Sequence, residues 1–188
     1  MNLPTHPGQE PSLAARLNAG EEAAFEEALD LFGRGLLRVA RALGRSREDA
    51  EDAVQDVFVA LARARGRLAG IVNLKAYLFA SLRRALARRA REFCRARELA
   101  EKAALARDGE TGEPVPHETS PALERALRRL PEEQREVVAL KIDAGLTFAE
   151  IAQVLGVRQN TAASRYRYAL MRLRREMGEP SDGRGTAD

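Results

Sequence analysis

Scarcity marks this sequence of 188 residues: one cysteine, no tryptophan, two histidines, and aromatic rings at only 5% of positions. The single Cys94 cannot close an intrachain disulfide or furnish a zinc site built on several thiolates. His6 and His117 both lie in polar stretches containing Pro or Gly, so no His/Cys cluster, and with it no metal or cofactor, is expected. There is no P-loop and no Cys/His dyad at a credible site, which leaves no candidate catalytic residue and argues against an enzyme. No run of eighteen apolar residues occurs, so membrane insertion is not expected. Residues 1–11 lack the basic start and apolar stretch of a secretory signal, and the expected location is cytoplasmic. Lysine stands only at positions 75, 102 and 141, so the basic side chains are almost all arginine.

What the chain does have is alanine, arginine and helical periodicity. Hydrophobic residues make up 45% and charged residues 31%, which suits small helices with thin cores and solvated faces. The net charge of +3 is too small to name a partner; the distribution of charge must do that. Two helix-rich blocks, residues 11–100 and 121–177, flank residues 101–120. From Asp108 onward that stretch is rich in Pro, Gly and acids and has almost nothing to bury. It reads as a linker, and residues 178–188 read as a disordered tail. The expected fold is therefore all-α, two small helical domains joined by a flexible linker.

In the first block Phe25, Ala28, Leu29 and Phe32 recur at helical spacing, as do Leu36, Val39, Ala40 and Leu43, with Gly33 and Gly35 interrupting them. Ser46 and Asp49 form an S-x-x-D cap before a helix bearing Val54, Val57, Phe58 and Leu61 on one face. A turn through Ala69 and Gly70 precedes a further helix expected over residues 73–97. In the second block, Pro131 with Glu132 and Glu133 opens one helix. Thr147 and Glu150 form a capping box for the next, and Gly156 closes it. The last helix carries Ala162, Tyr166, Ala169, Leu170 and Leu173 inward.

Three constellations could do chemistry. TFAEIAQVLGVRQNTAASRYRYAL is a helix-turn-helix. The outer side of its second helix presents Asn160, Thr161, Ser164, Arg167 and Tyr168, with Arg165 flanking. Amides, hydroxyls and guanidinium forks of this kind hold phosphates or read base edges; a solvated helical hairpin is the plainer alternative. The second is LRRALARRAREFCRAR, residues 82–97, whose arginines have only Glu92 and Glu98 as nearby sequence partners. Guanidinium groups left unpaired repel one another, a cost that bound phosphate relieves. Upstream, Tyr77 and Phe79 flank Leu78, where a ring either stacks on an unpaired base or packs in the core. The third is acidic: Asp52, Gln55 and Asp56 lie opposite Val54, Val57 and Leu61. The helix dipole alone explains acids near a helix start, but the patch also suits a protein partner. Cys94 reads most simply as a partly buried, inert thiol.

Taken together, these residues resemble a sigma factor of bacterial RNA polymerase of the compact extracytoplasmic-function type. DAEDAVQDVFVAL (residues 49–61) is similar to that family's core-binding helix. NLKAYLFASLRRAL (73–86) resembles its melting and minus-ten helix. LPEEQREVVALKIDAGLTFAEIAQVLGV (130–157), followed by NTAASRYRYAL, resembles its minus-thirty-five domain. The resemblance implies a non-enzymatic protein that binds core RNA polymerase and directs promoter recognition and strand opening. It implies core contacts by Asp52, Gln55 and Asp56. Asn73, Lys75, Tyr77, Arg83, Arg84 and Arg88 would serve minus-ten DNA, with the turn at 68–73 meeting an extruded base. Asn160, Thr161, Ser164, Arg165, Arg167 and Tyr168 would serve the upstream element. An anti-sigma protein is a frequent partner in the family. Departures are Tyr77 for a usual Trp, Arg84 for a usual Asn, Arg158 at the recognition-helix cap, and Ala163 for a usual basic residue. The competing reading is a conventional helix-turn-helix regulator that binds duplex operators without polymerase.

Overall fold

A computed structural model describes residues 12–43, 46–68, 70–103 and 120–178. Eight α-helices account for the regular structure of these residues: α1 (Leu13–Ala19), α2 (Glu22–Ala42), α3 (Arg47–Arg63), α4 (Leu74–Ala103), α5 (Pro121–Arg128), α6 (Glu132–Ile142), α7 (Phe148–Leu155) and α8 (Gln159–Glu176). None is long and apolar enough to cross a membrane. Most of the expected linker and tail lies outside the described residues, as does Ala69 of the expected turn; residues 101–103 continue α4.

Local signals fix several of the helix starts. Ser46 Oγ accepts the Asp49 amide at 3.0 Å, and Thr147 Oγ1 accepts the Glu150 amide at 3.2 Å. Glu150 Oε2 returns to the Thr147 amide at 2.7 Å, completing a box that satisfies two otherwise orphaned donors. Gly156 leaves α7 in the left-handed region (φ 68°), which a β-carbon would strain. Pro131 stands one place earlier than a first-turn proline, as the residue preceding α6.

The glycines at 33 and 35 do not break α2, which runs through both as 21 residues. Packing overrides their low helix propensity. A β-carbon on Gly35 would lie 3.4 Å from the Phe79 ring and 3.7 Å from the Asp143 carbonyl, so this position admits close approach by α4 and by the end of α6.

One core runs through both sequence blocks. Leu36, Val57, Leu61, Leu78, Phe79 and Leu82 from the first share it with Val137, Leu140, Leu146 and Ile151 from the second. Only a void of about 10 Å³ remains where Phe79, Leu82 and Leu86 meet Leu140 and Val154. A smaller cluster, Ala126, Leu130, Val138, Ala169 and Leu173, holds α5, α6 and α8 together. Phe79 is thereby resolved as core, 2% exposed, whereas Tyr77 stays half-buried at the surface.

The caps yield a first test. Thr147→Ala should lower the urea-unfolding free energy by about 1 kcal/mol. Arg158 precedes α8 without a side-chain cap bond, so Arg158→Ser should raise it by up to about 1 kcal/mol. If neither moves the unfolding midpoint, capping is not what sets these helix starts.

Candidate polymerase and nucleic-acid surfaces

Asp52 and Gln55 project from α3 into solvent and Asp56 is half-buried beside them, on the side away from Val57 and Leu61. The expected patch therefore exists, but it is not bare. Arg89 of α4 reaches Asp52 at 3.1 Å and Asp56 at 3.0 Å, and Arg88 reaches Asp56 at 2.7 Å. Burial opposes the charge on Arg89, but its bonds to Asp56 and Asp52 outweigh that and raise its pKa. This corrects the expectation of unpaired arginines for Arg88 and Arg89. Arg88 has Glu92 four residues on at 3.8 Å, but the shorter pairs come from across the fold, 32 to 37 residues away in the chain, where inspection of neighbours four residues distant could not find them.

The remaining minus-ten candidates have partners as well. Arg84 donates to Ser81 Oγ at 2.8 Å, and Arg83 pairs with Glu136 of α6 at 2.8 Å. Asn73 Oδ1 accepts the Ala76 amide at 2.9 Å, capping α4, while its Nδ2 donates to Glu150 Oε1 at 2.9 Å. Lys75 Nζ donates to the Gly145 carbonyl at 3.1 Å. Arg38 of α2 adds a bond of 2.9 Å to the Asp143 carbonyl. Asn73, Lys75 and Arg83 are thus drawn toward α6, α7 and the turn between them, whereas Tyr77, Arg84 and Arg88 are not.

Tyr77 and Arg88 instead line a cleft of about 530 Å³ at the end of α3, with Asp56, Arg63, Arg67, Leu68 and Ile71. The turn that forms its floor is anchored by the Leu68 amide, which donates to Asn18 Oδ1 at 2.9 Å. Val72, at the tip of that turn, is fully exposed at 102%. Sequence reasoning named neither Arg63 nor Arg67 as a site residue, since the helix dipole alone accounts for basic residues near a helix end. For Arg63 the signal is spacing, since positions 56, 60 and 63 follow one helical stripe; Arg67 lies beyond the end of α3, past Gly66 at φ 78°, where helical spacing does not reach. Cys94 is exposed rather than partly buried, because residues 91–96 of α4 extend past the bundle.

On α8, Asn160, Arg167 and Tyr168 are exposed, along with Met171, Arg172 and Arg175. Arg167 lies over the Tyr168 ring at 5.4 Å, an arrangement that presents a flat cationic and aromatic surface. Thr161 and Ser164 are half-buried. Arg165 turns back to Glu133 at 2.7 Å and is only 25% exposed, so it flanks the outer face rather than belonging to it. Tyr166 packs edge-to-face on Phe148 at 5.6 Å, locking α8 to α7.

With this geometry in hand, known proteins give its context. Residues 29–96 match Sigma-70 region 2, and residues 120–173 match Sigma-70, region 4. The ECF RNA polymerase sigma factor SigM of Mycobacterium tuberculosis is 32% identical over 186 residues, 95% of this chain and 89% of that protein. The RNA polymerase sigma-E factor of Streptomyces coelicolor is 34% identical over 163 residues, 84% of this chain and 88% of that one. Among solved structures, CnrH in complex with the cytosolic domain of CnrY superposes with a TM-score of 0.66 at 26% identity, covering 90% of this chain and 97% of that chain. The sigma factor RpoE in complex with the anti-sigma factor NepR from Bartonella quintana gives 0.66 at 26%, covering 82% and 96%.

Two carboxyls at the junction of the blocks titrate in opposite senses. The Asn73 hydrogen bond, then the Thr147 amide, hold Glu150 below its ordinary 4.5. Burial pushes Glu136 above 4.5, against the pull of Arg83. Stability from Glu150 is complete above its unfolded value and is lost as the pH falls through its lowered folded value. Glu136 binds its proton more tightly when folded, so acidification through its raised value removes a penalty. Between about pH 6 and 3, Glu150→Gln should flatten the acid loss of unfolding free energy, and Glu136→Gln should steepen it. The reverse pattern in urea titrations would exclude these assignments.

Proposed function

The chain belongs to the extracytoplasmic-function sigma factors of bacterial RNA polymerase, and from that premise we propose how its side chains divide the work. As a sigma factor it binds core polymerase and directs promoter recognition and strand opening. It is a non-catalytic initiation factor: it selects where polymerase starts and makes no bond itself. Because its target is polymerase, we assign it to the cytoplasm.

Residues 11–100 are the polymerase-docking and minus-ten domain in this reading, residues 101–120 the connection, and residues 121–177 the upstream-element domain. Asp52, Gln55 and Asp56 meet a basic surface of core enzyme. The single observation that carries the strand-binding assignment is the cleft at the end of α3. It gathers Tyr77, Ile71, Leu68 and three arginines beside Asp56. A flat, half-apolar wall rimmed by guanidinium groups suits an unpaired base and its phosphates, because stacking is available at any base and phosphate contacts carry no sequence information. Arg83, Arg84 and Arg88 hold the backbone of that strand, and Arg63 and Arg67 join them. Binding only to the opened strand lowers the free energy of the melted state relative to the closed duplex.

On α8, Asn160, Arg167 and Tyr168 meet the upstream duplex, with Thr161 and Ser164 at the edge of the contact and Arg165 beside it. Each half alone binds weakly. Polymerase tethers both, and the second contact becomes intramolecular. Asn73, Lys75 and Arg83 serve DNA only after their bonds to α6, α7 and the intervening turn part, so the two halves separate when they occupy two promoter elements. An anti-sigma protein is a fitting further partner, since one solved relative is a complex with the anti-sigma factor NepR.

Two experiments test the division. Charge reversal at Asp52 and Asp56 should abolish co-purification with core polymerase while the circular dichroism of the helices is retained. Arg167→Ala should weaken binding to the upstream duplex by about tenfold, from about 1–3 kcal/mol per specific side chain, and leave core binding intact. Loss of core binding on Arg167→Ala, or undiminished core binding on charge reversal, would overturn it.

A further inference from the structure

The polymerase-docking carboxylates and the strand-binding guanidiniums are one another's counter-ions. Asp56 accepts from both Arg88, at 2.7 Å, and Arg89, at 3.0 Å, and Arg89 also holds Asp52 at 3.1 Å. None of the four is deeply buried: side-chain exposure is 56% for Asp52, 32% for Asp56, 54% for Arg88 and 28% for Arg89. Pairs this wet gain little from one another and exchange readily for better partners. Resting on the docking assignment above, we propose that this four-residue cluster is an exchange point that couples polymerase docking to strand capture. Arg89, which holds both carboxylates, is its pivot.

The physical steps balance in charge. In the free chain two carboxylates neutralise two guanidiniums, so neither surface presents its full charge. When a basic surface of polymerase takes over Asp52 and Asp56, Arg89 loses both these acids and Arg88 keeps only Glu92, a looser pair at 3.8 Å, beside the cleft that Arg88 lines. A phosphate of the opened strand then supplies the missing negative charge. The reverse order works equally, because a coupling free energy is reciprocal: phosphate on Arg88 and Arg89 strengthens polymerase docking by the same factor. The chain thus binds single strands weakly before it is mounted on polymerase.

The first measurement uses the full chain without polymerase and an oligodeoxythymidylate probe. Asp56→Asn should raise affinity roughly three- to tenfold, the lower part of the range for coupled sites. It should also steepen the dependence of log K on log salt by about 0.7, one phosphate on a single strand. Glu48→Gln removes the same charge from an exposed position of α3, and it should leave that slope unchanged. Equal effects of the two variants would mean that only bulk charge matters and would overturn the proposal. The second measurement is Arg89→Ala in both assays. Core polymerase affinity should rise and oligonucleotide affinity should fall, each a few-fold; a merely structural arginine would lower both, which would also overturn it. The oligonucleotide arm contains no polymerase. Failure of Asp52 and Asp56 to dock core would therefore sink the docking assignment without altering this result.

Discussion

Everything in this fold depends on the burial of α4 on two sides. Leu78, Phe79, Leu82, Ala85 and Leu86 are all 6% exposed or less, a stripe too wide for a helix that leans on a single neighbour. One side of it closes the core against α2 and α3, and the other meets α6 and α7. Burying a side chain such as Phe79 is worth about 1.5–3 kcal/mol, so this helix supplies the common floor of both blocks. Along the packed part of α4, what remains to face outward is narrow: positions 83, 84, 87 and 88, three of them arginine. The width of the apolar stripe therefore dictates where these three guanidinium groups stand, while Arg91 and Arg95 are exposed beyond it.

The same helix explains why polar contacts cluster at its start. Asn73 caps α4 with its carbonyl oxygen and grips Glu150 with its amide nitrogen. Glu150 divides its two oxygens between that contact and the capping box of α7. Two helix beginnings are thus joined through the very groups that cap them. Separating the blocks breaks one hydrogen bond there and leaves both caps intact, so each helix keeps its own start while the relation between them changes. Lys75 on the Gly145 carbonyl and Arg38 on the Asp143 carbonyl follow the same rule. Each is a side chain resting on the C-terminal end of α6 or the turn after it, where carbonyls lack helical partners and attract cations.

How much of this was legible beforehand varies with the range of the interaction. Helices, caps and the inward residues of α8 follow from spacing of three and four residues, because local hydrogen bonding has that period. The helix-turn-helix and its outer face were legible for the same reason, down to Asn160, Arg167 and Tyr168. Gly33 and Gly35 misled, since their intrinsic cost argued for a break that packing against Phe79 overrides. Phe79 and Tyr77 were indistinguishable in sequence, one position either side of Leu78. Only the presence of a second block over α4 turns one into core and leaves the other at a cleft. The arginine row was misread most fully. Periodicity states which residues share a face, but not which distant acids arrive there, and Asp52 and Asp56 come from another helix.

The outer face of α8 has alanine at position 163 and an uncapped arginine at 158, so its stock of directional donors is small. The cleft at α3 and α4 likewise offers stacking and guanidinium groups, both tolerant of base identity. In the proposed assignment, neither surface discriminates strongly by itself. Discrimination then falls to the product of two weak choices made at a fixed separation, since a template that satisfies one surface and not the other forfeits the gain from tethering. A chain built this way has reason to keep its cationic groups engaged with its own acids and carbonyls when polymerase is absent. Under the proposed exchange, each such contact subtracts from nonspecific adhesion to DNA while remaining weak enough to surrender to the correct assembly.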